Sequence, residues 1–461
     1  MEWLSCSKLL AFVALICIIP VISSSSDRLF GAYAWRRGDN ENVGVIRVNM
    51  TRRSEREAVL NFSERLQSAV YRSKRRVRKI EGFVKQQVTK SKSQSQSIHE
   101  LDPETPVQVG DGEFLMKVAV GTPPVNFEAI VDTGSDLIWT QCKPCEDCFN
   151  QPTPMFDPSK SSTYSTIPCT DSLCDALGDT QTGCNPGCSF LYQYGDGSFT
   201  SGVLSSETLS IGSGSKVAGI GFGCGHDNEG QGFSQGGGLV GLGRGALSLI
   251  SQLGSKVDNK FSYCLLSITD SSSQTSPLFF GQGASLSGGA KSIPLIKSSV
   301  IPTFWYIPIT GITLDGKPVD IPAGTFDLQS DGSGGMIIDS GTTVTILDEA
   351  AYSPLKDAIQ SAIDLTPADG SSVGLDLCYQ TSGKVSLPSL TFNFKGGVDY
   401  ELPADNFFIQ VSSDLLCLAM LGEPSGNIPS IFGNIQQQNF HILYNDAQNT
   451  LSFKPTKCDS L

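Results

Sequence analysis

The chain has 461 residues, of which 39% are hydrophobic and 17% charged, and a formal net charge of −13. That length exceeds one ordinary domain and suits two lobes of similar size. Abundant Gly, sparse charge and short apolar runs broken by Gly, Ser, Asp and Pro argue against a helical protein and for a mostly β one.

The N-terminus reads as a targeting leader. Lys8 precedes an apolar core of about 14 residues (9–22), followed by four serines. This suits a signal peptide over residues 1–26 and is short for a membrane span. No later stretch is apolar enough over a sufficient length to cross a bilayer. The expectation is a soluble protein in the secretory route, with no membrane contact after the leader is cleaved.

Residues 27–110 read as a removable pro-segment. Residues 27–98 hold 17 Lys or Arg against 7 Asp or Glu, whereas residues 99–461 hold 15 against 38. Val45-Ile46-Arg47-Val48 predicts a strand, and residues 54–88 a helix. The Ser/Gln/Lys repeat at 91–97 predicts a flexible, cleavable connector. The basic run at 73–79 would ordinarily read as a solvated or nucleic-acid-binding tail. Beside so acidic a body an intramolecular partner is the better reading, and no nucleic acid is expected. Such a latch weakens as acid protonates the carboxylates. The sequence leaves open which lysine or arginine it uses. Both Asn-x-Ser/Thr sequons, at Asn49 and Asn61, fall in this segment.

The body begins near Asp111, with a first lobe over 111–290 and a second over 291–461. Two copies of one pattern dominate it. Ala129-Ile130-Val131-Asp132-Thr133-Gly134-Ser135 is echoed by Met336-Ile337-Ile338-Asp339-Ser340-Gly341-Thr342. Each is a buried-strand signal ending in a carboxylate, where burial is costly unless satisfied. Two of them suggest facing carboxyls that share one proton, the requirement for acid–base hydrolysis. Each is followed by an apolar-apolar-Gly element, Leu239-Val240-Gly241 and Ile431-Phe432-Gly433, which suggests duplicated lobes about a pseudo-twofold axis. Residues 190–198 read as a hairpin with a Gly-rich tip over a groove. Gly219 to Gly223 lacks a P-loop lysine and reads as strand and turn.

Of 14 cysteines, Cys6 and Cys17 lie in the leader, leaving 12 for disulfides in an oxidising compartment. Cys142-x-x-Cys145-x-x-Cys148 has zinc-like spacing. Only His99, His226 and His441 are present, none in ligand spacing with it, and secretion argues against an all-cysteine site. No metal and no cofactor are expected.

Residues 112–458 resemble the pepsin-like aspartic proteases, most closely their plant nepenthesin-type branch. The resemblance rests on Asp132-Thr133-Gly134-Ser135-Asp136-Leu137-Ile138-Trp139, Tyr194-Gly195-Asp196-Gly197-Ser198 and Ile338-Asp339-Ser340-Gly341-Thr342-Thr343. It implies a bilobal, mostly β fold with a central cleft. Asp132 and Asp339 become the catalytic pair, and Gly134 and Gly341 supply nearby amides. Ser135 and Thr342 resemble the hydroxyls on the outer carboxylate oxygens, and Thr133 and Ser340 those that cross-link the loops. Ser340 replaces a frequent Thr and keeps its hydroxyl. Tyr194 resembles the flap tyrosine, with Trp139 as its hydrogen-bond partner and Gly195 and Asp196 at the tip. By analogy the disulfides are Cys142–Cys145, Cys148–Cys224, Cys169–Cys188, Cys174–Cys184, Cys264–Cys458 and Cys378–Cys417. The implied protein is a monomeric aspartic endopeptidase zymogen, acting on protein or peptide substrates with bulky apolar residues at the cut. It would be secreted to the extracellular space, with the vacuole as alternative.

Two rival readings compete. Gly232-Phe233-Ser234-Gln235-Gly236 fits a nucleophile elbow with His441 downstream, but its glycine-rich flanks do not suit a strand-to-helix turn. An inactive inhibitor or binding protein on the same fold is the stronger rival. The presence of both aspartates and Tyr194 argues for the enzyme.

Overall fold

Residues 45–52, 61–90, 113–194, 197–212, 214–230, 233, 236–269, 275–383, 385–423 and 428–461 are described by a computed structural model. The leader with Cys6 and Cys17, the connector at 91–97, the start of the body at 111–112, and Gly195 and Asp196 lie outside these residues.

Strands dominate the described residues, and only one α-helix, Phe62–Lys90, exceeds 14 residues. The largest sheet has 16 strands and takes strands from both halves of the body. Near its middle sits the strand Val45–Arg52, antiparallel to Ser276–Gly281 on one side and to Phe114–Val120 on the other. Its alternation explains the placement. Ile46, Val48, Met50 and Arg52 point into the protein, while Val45, Arg47 and Asn49 face out. That pattern carries the strand to Arg52, beyond the four residues expected. Buried Arg52 donates from its two terminal nitrogens to the carbonyls of Leu266, Ser267 and Ile268. Further along the sheet, Lys260–Cys264 pairs with Phe440–Asn445, joining the first lobe to the chain's end.

The paired motifs occupy equivalent settings. Gly238–Gly241 runs parallel to Val125–Asp132, with Gly241 opposite Asp132. Ser430–Phe432 runs parallel to Met336–Ile338, with Phe432 opposite Ile338. Both catalytic-type strands are buried on both faces, as near-continuous apolar runs require.

The long helix starts one residue after Asn61, which closes a capping box. Asn61 Oδ1 accepts from Glu64 N at 3.0 Å, and Glu64 Oε2 accepts from Asn61 N at 2.9 Å. Leu66, Val70, Val77, Ile80 and Val84 are buried along one stripe. They join a core with Phe304, Tyr306, Val344, Val373, Leu375 and Val411 of the second half. Each such side chain contributes about 1.5–3 kcal/mol on burial. Arg72, Lys74 and Arg76 of the same helix lie off this stripe and reach polar partners in the body.

Four expected disulfides are corrected. The structure pairs Cys142 with Cys224, Cys145 with Cys148, Cys169 with Cys184, and Cys174 with Cys188. It does not contain Cys142–Cys145, Cys148–Cys224, Cys169–Cys188 or Cys174–Cys184. The reason is register. The strand Ile138–Gln141 runs parallel to Ser215–Glu229 with Thr140 opposite Cys224, which brings the Cα atoms of Cys142 and Cys224 to 5.4 Å. Cys148 pairs opposite Asn228, about 13 Å further along the strand and out of disulfide reach of Cys224. In the second cluster the sulfurs of Cys169, Cys174 and Cys188 lie within 4.8 Å of one another, so spacing along the chain does not discriminate between partners. Cys264–Cys458 and Cys378–Cys417 are also present. All twelve body cysteines are thus oxidised, and none offers a thiolate to a metal. Among the described residues no helix is long and apolar enough to cross a membrane.

Candidate active site

Asp132 and Asp339 are both fully buried, and each stands at the end of its strand with the same donors. Asp132 Oδ1 accepts from Gly134 N at 3.0 Å, and Asp339 Oδ1 accepts from Gly341 N at 2.8 Å. The Ser135 hydroxyl donates to Asp132 Oδ2, and the Thr342 hydroxyl donates to Asp339 Oδ2. These donors replace the water that burial removes.

The two loops are tied reciprocally. Thr133 N donates to Ser340 Oγ at 3.1 Å, and Ser340 N donates to Thr133 Oγ1 at 2.8 Å. Ser340 Oγ in turn donates to Val131 O at 3.1 Å. The glycines are needed for this approach. A Cβ on Gly341 would lie 2.4 Å from Asp132 Oδ1, and one on Gly134 would lie 2.8 Å from Asp339 Oδ1. Each carboxylate therefore rests against the glycine of the opposite loop.

A cation from the long helix occupies the space between them. Arg76 Nη2 is 2.6 Å from Asp132 Oδ1, and Arg76 Nε is 2.8 Å from Asp339 Oδ2. The neighbouring turns of the helix are held too. Arg72 pairs with Glu113 at 3.0 Å, and Lys74 donates to Gly374 O at 2.6 Å. Buried Ser73 Oγ accepts from Thr343 N at 3.1 Å. Arg75 lies against Gly197, where a Cβ would be 2.3 Å from its Nη2.

Burial opposes the Asp132 charge, but Arg76 and the donors on Ser135 and Gly134 outweigh it and hold the carboxyl below its ordinary value. Burial, with repulsion from Asp132 and against the pull of Arg76, pushes Asp339 up to about 6. The second motif residue Asp136 is also buried. Burial, with a smaller contribution from the Asp132 charge, pushes it up to about 6 against hydrogen bonds from Thr303 and Gly245.

The hairpin of Ser189–Gln193 and Phe199–Ile211 ends at Tyr194, whose N–H donates to Ser198 O at 2.8 Å. Tyr194 packs 6.4 Å from Trp139, 5.2 Å from Tyr192 and 5.2 Å from Phe233 between ring centroids. The indole N–H and the phenol are both buried, with the Trp139 side chain beside Tyr194. Ring packing from Phe233, Tyr192 and Trp139 holds the tyrosine.

Sequence reasoning missed Phe233, Asp136 and the identity of Arg76. Phe233 was hidden inside the rival Gly-x-Ser-x-Gly motif. Asp136 carried a signal, a second carboxylate in an apolar stretch. His441, the other half of that rival, is buried in the sheet with Nε2 3.0 Å from Ser262 Oγ.

Two family models match the chain, "Xylanase inhibitor N-terminal" over residues 114–282 and "Xylanase inhibitor C-terminal" over 304–455. The chain is 43% identical to aspartic proteinase nepenthesin-2 of Nepenthes gracilis over 454 residues, covering 97% of each chain. It is 48% identical to nepenthesin-1 of the same plant, covering 77% of this chain and 80% of that one. A crystal structure of edgp superposes with a TM-score of 0.63 at 20% identity, covering 76% of this chain and 92% of that one, a likeness of fold. The duplicated loops, their reciprocal tie and these relatives together place the chain in the pepsin-like aspartic protease family, in its plant nepenthesin-type branch, as an aspartic endopeptidase.

Proposed function

We propose that the chain is made as an inactive zymogen and that Asp132 and Asp339 cleave peptide bonds at acidic pH through one shared proton and one water. The observation that carries this reading is the single guanidinium of Arg76 bridging both carboxylates. Two carboxyls close enough to share one cation cannot both ionise easily once it leaves, so one keeps a proton.

The ionised carboxylate then takes a proton from water as its oxygen attacks the scissile carbonyl carbon. The protonated carboxyl donates to the carbonyl oxygen, giving a tetrahedral diol. Collapse breaks the C–N bond as the nitrogen takes a proton from the carboxyl that received it, while one diol hydroxyl returns its proton to the other carboxylate as the carbonyl re-forms, restoring the singly protonated pair. The pair acts as a unit, so the two roles belong to the dyad.

Residues 27–110 act as the intramolecular inhibitor, with the described helix across the cleft. Its ties to the body include ion pairs with Asp132, Asp339 and Glu113, which acid weakens by protonating the carboxylates. Trp139, Tyr194 and Phe233 support a preference for bulky apolar residues at the cut. Asn49 and Asn61 are exposed and carry glycans that leave with the pro-segment; the Asn61 cap uses only its Oδ1 and main-chain N–H. The protein is a secreted monomer acting in the extracellular space, with the vacuole as the alternative compartment.

The test is acid treatment of the purified zymogen, with peptide cleavage followed with and without pepstatin and the new N-terminus sequenced. Asp132→Asn and Asp339→Asn should each lower activity at least about 10³-fold while leaving the circular dichroism unchanged. Robust activity in either variant defeats the dyad assignment, whereas a purified zymogen that never gains pepstatin-sensitive activity at any acidic pH moves the chain to the inhibitor or binding class that the family-model descriptions name.

A further inference from the structure

A second set of side chains reaches the Asp339 loop from the protein interior. Tyr263, Gln437 and Tyr444 are all fully buried. Tyr263 and Tyr444 lie on the neighbouring strands Lys260–Cys264 and Phe440–Asn445, as diagonal partners with rings 5.6 Å apart. Their hydroxyls are 2.7 Å apart. The Tyr263 hydroxyl donates to Gln437 Oε1. Gln437 Nε2 donates to the main-chain oxygens of Asp339 at 3.1 Å and Phe432 at 2.9 Å.

The direction of this chain is forced. Gln437 faces two carbonyls, which only accept, so its NH₂ must point at them and its oxygen at Tyr263. Each hydroxyl carries one proton. Tyr263 gives its proton to Gln437, so Tyr444 must donate to Tyr263. The chain thus ends on the backbone of Asp339, whose loop is tied to that of Asp132 by the 2.8 Å bond from Ser340 N to Thr133 Oγ1.

We propose that Tyr263, Tyr444 and Gln437 are positioning residues for the peptidase reaction, setting the spacing of the two carboxylates through this one-way hydrogen-bond chain. The inference rests on the dyad reading given above. The residues come from three separate elements, and the Phe261 ring stacks on Tyr444 at 4.5 Å, so removing one hydroxyl leaves the aromatic packing in place. Misplacing reacting groups by a fraction of an ångström lowers turnover more than binding.

The experiment uses acid-activated full-length protein carrying Tyr263→Phe, Tyr444→Phe, Gln437→Leu or Tyr263→Phe with Gln437→Leu. Active sites are counted by pepstatin titration, so that kcat is read per folded site. Each single variant should lose about 10- to 100-fold in kcat with KM within about twofold. The double variant should be no worse than its worse parent, because one chain is already broken. Unchanged kcat per site in the single variants, or multiplying losses in the double one, overturns the proposal while the dyad reading stands. A wild type with no pepstatin-sensitive cleavage overturns both. If Tyr263→Phe does not fold, Tyr444→Phe decides, since it breaks the chain one link away.

Discussion

Arg76 Nη2 stands 2.6 Å from Asp132 Oδ1, across 56 residues of chain, and 3.3 Å from Asp339 Oδ1, across 263. One guanidinium therefore answers two carboxylates that come from different halves of the body. Planar, multiply donating and permanently charged, arginine fits that place better than lysine. In the proposed zymogen the same contact would block the space where water and a scissile carbonyl sit during cleavage.

Removing that cation should unlock the zymogen. Arg76→Gln leaves two buried carboxylates facing each other, a loss of about 3–5 kcal/mol in the docking of the helix. Activation at pH 5–6 should then run at least about tenfold faster than in wild type, as read with a quenched fluorescent peptide. An unchanged activation rate at every pH would remove Arg76 from the inhibitory role.

Gly341→Ala should uncouple folding from catalysis. The new methyl would meet Asp132 Oδ1 at 2.4 Å, so the loop or the carboxylate must move. The expected result is secretion with a melting temperature within a few degrees of wild type and a loss of about 10²-fold or more in kcat. Full activity would mean that the opposite loop does not approach this closely in solution.

Asp136 predicts a pH signature with a definite sign. Its native carboxyl takes up a proton at about 6 because of burial, against 3.8 ordinarily. Between these values the native state holds more protons than the unfolded one, so this group favours the fold in acid and loses that advantage as pH rises through 6. Asp136→Asn, neutral throughout, should therefore gain on wild type between pH 4 and 7, by up to about 3 kcal/mol. Chemical denaturation of both proteins at several pH values checks this. A constant difference would assign Asp136 an unshifted pKa.

Peptide mapping under non-reducing conditions decides the disulfides. The fragment with Cys142 should be linked to the one with Cys224, and Cys145 to Cys148 within one loop. Recovery of Cys148 linked to Cys224 would instead favour the pairing inferred from resemblance.

Much of the site was legible because its signals are local. The two Asp-hydroxyl-Gly turns announce themselves by residue type at the end of an apolar run. The strand is read from Val45-Ile46-Arg47-Val48, and the helix from a stretch rich in Arg, Glu, Lys and Gln. Phe233 was not legible, since its role depends on meeting Trp139 and Tyr194 from a glycine-rich loop that sequence assigns to nothing.

The amino-acid order by itself determined the two acidic turns, the strand periodicity around them, the basic segment ahead of an acidic body and the number of oxidisable cysteines. All of these depend on neighbours within a few positions, where hydrophobic period and turn chemistry act. Only the tertiary structure decided that Arg76, among 17 basic residues between 27 and 98, reaches the dyad. It also decided that Cys142 meets Cys224, and that a hydrogen-bond chain from Tyr444 ends on Asp339. Those choices are set by strand register and by the seating of one helix on a distant apolar groove, energies that belong to packing between segments and leave no mark on either segment alone.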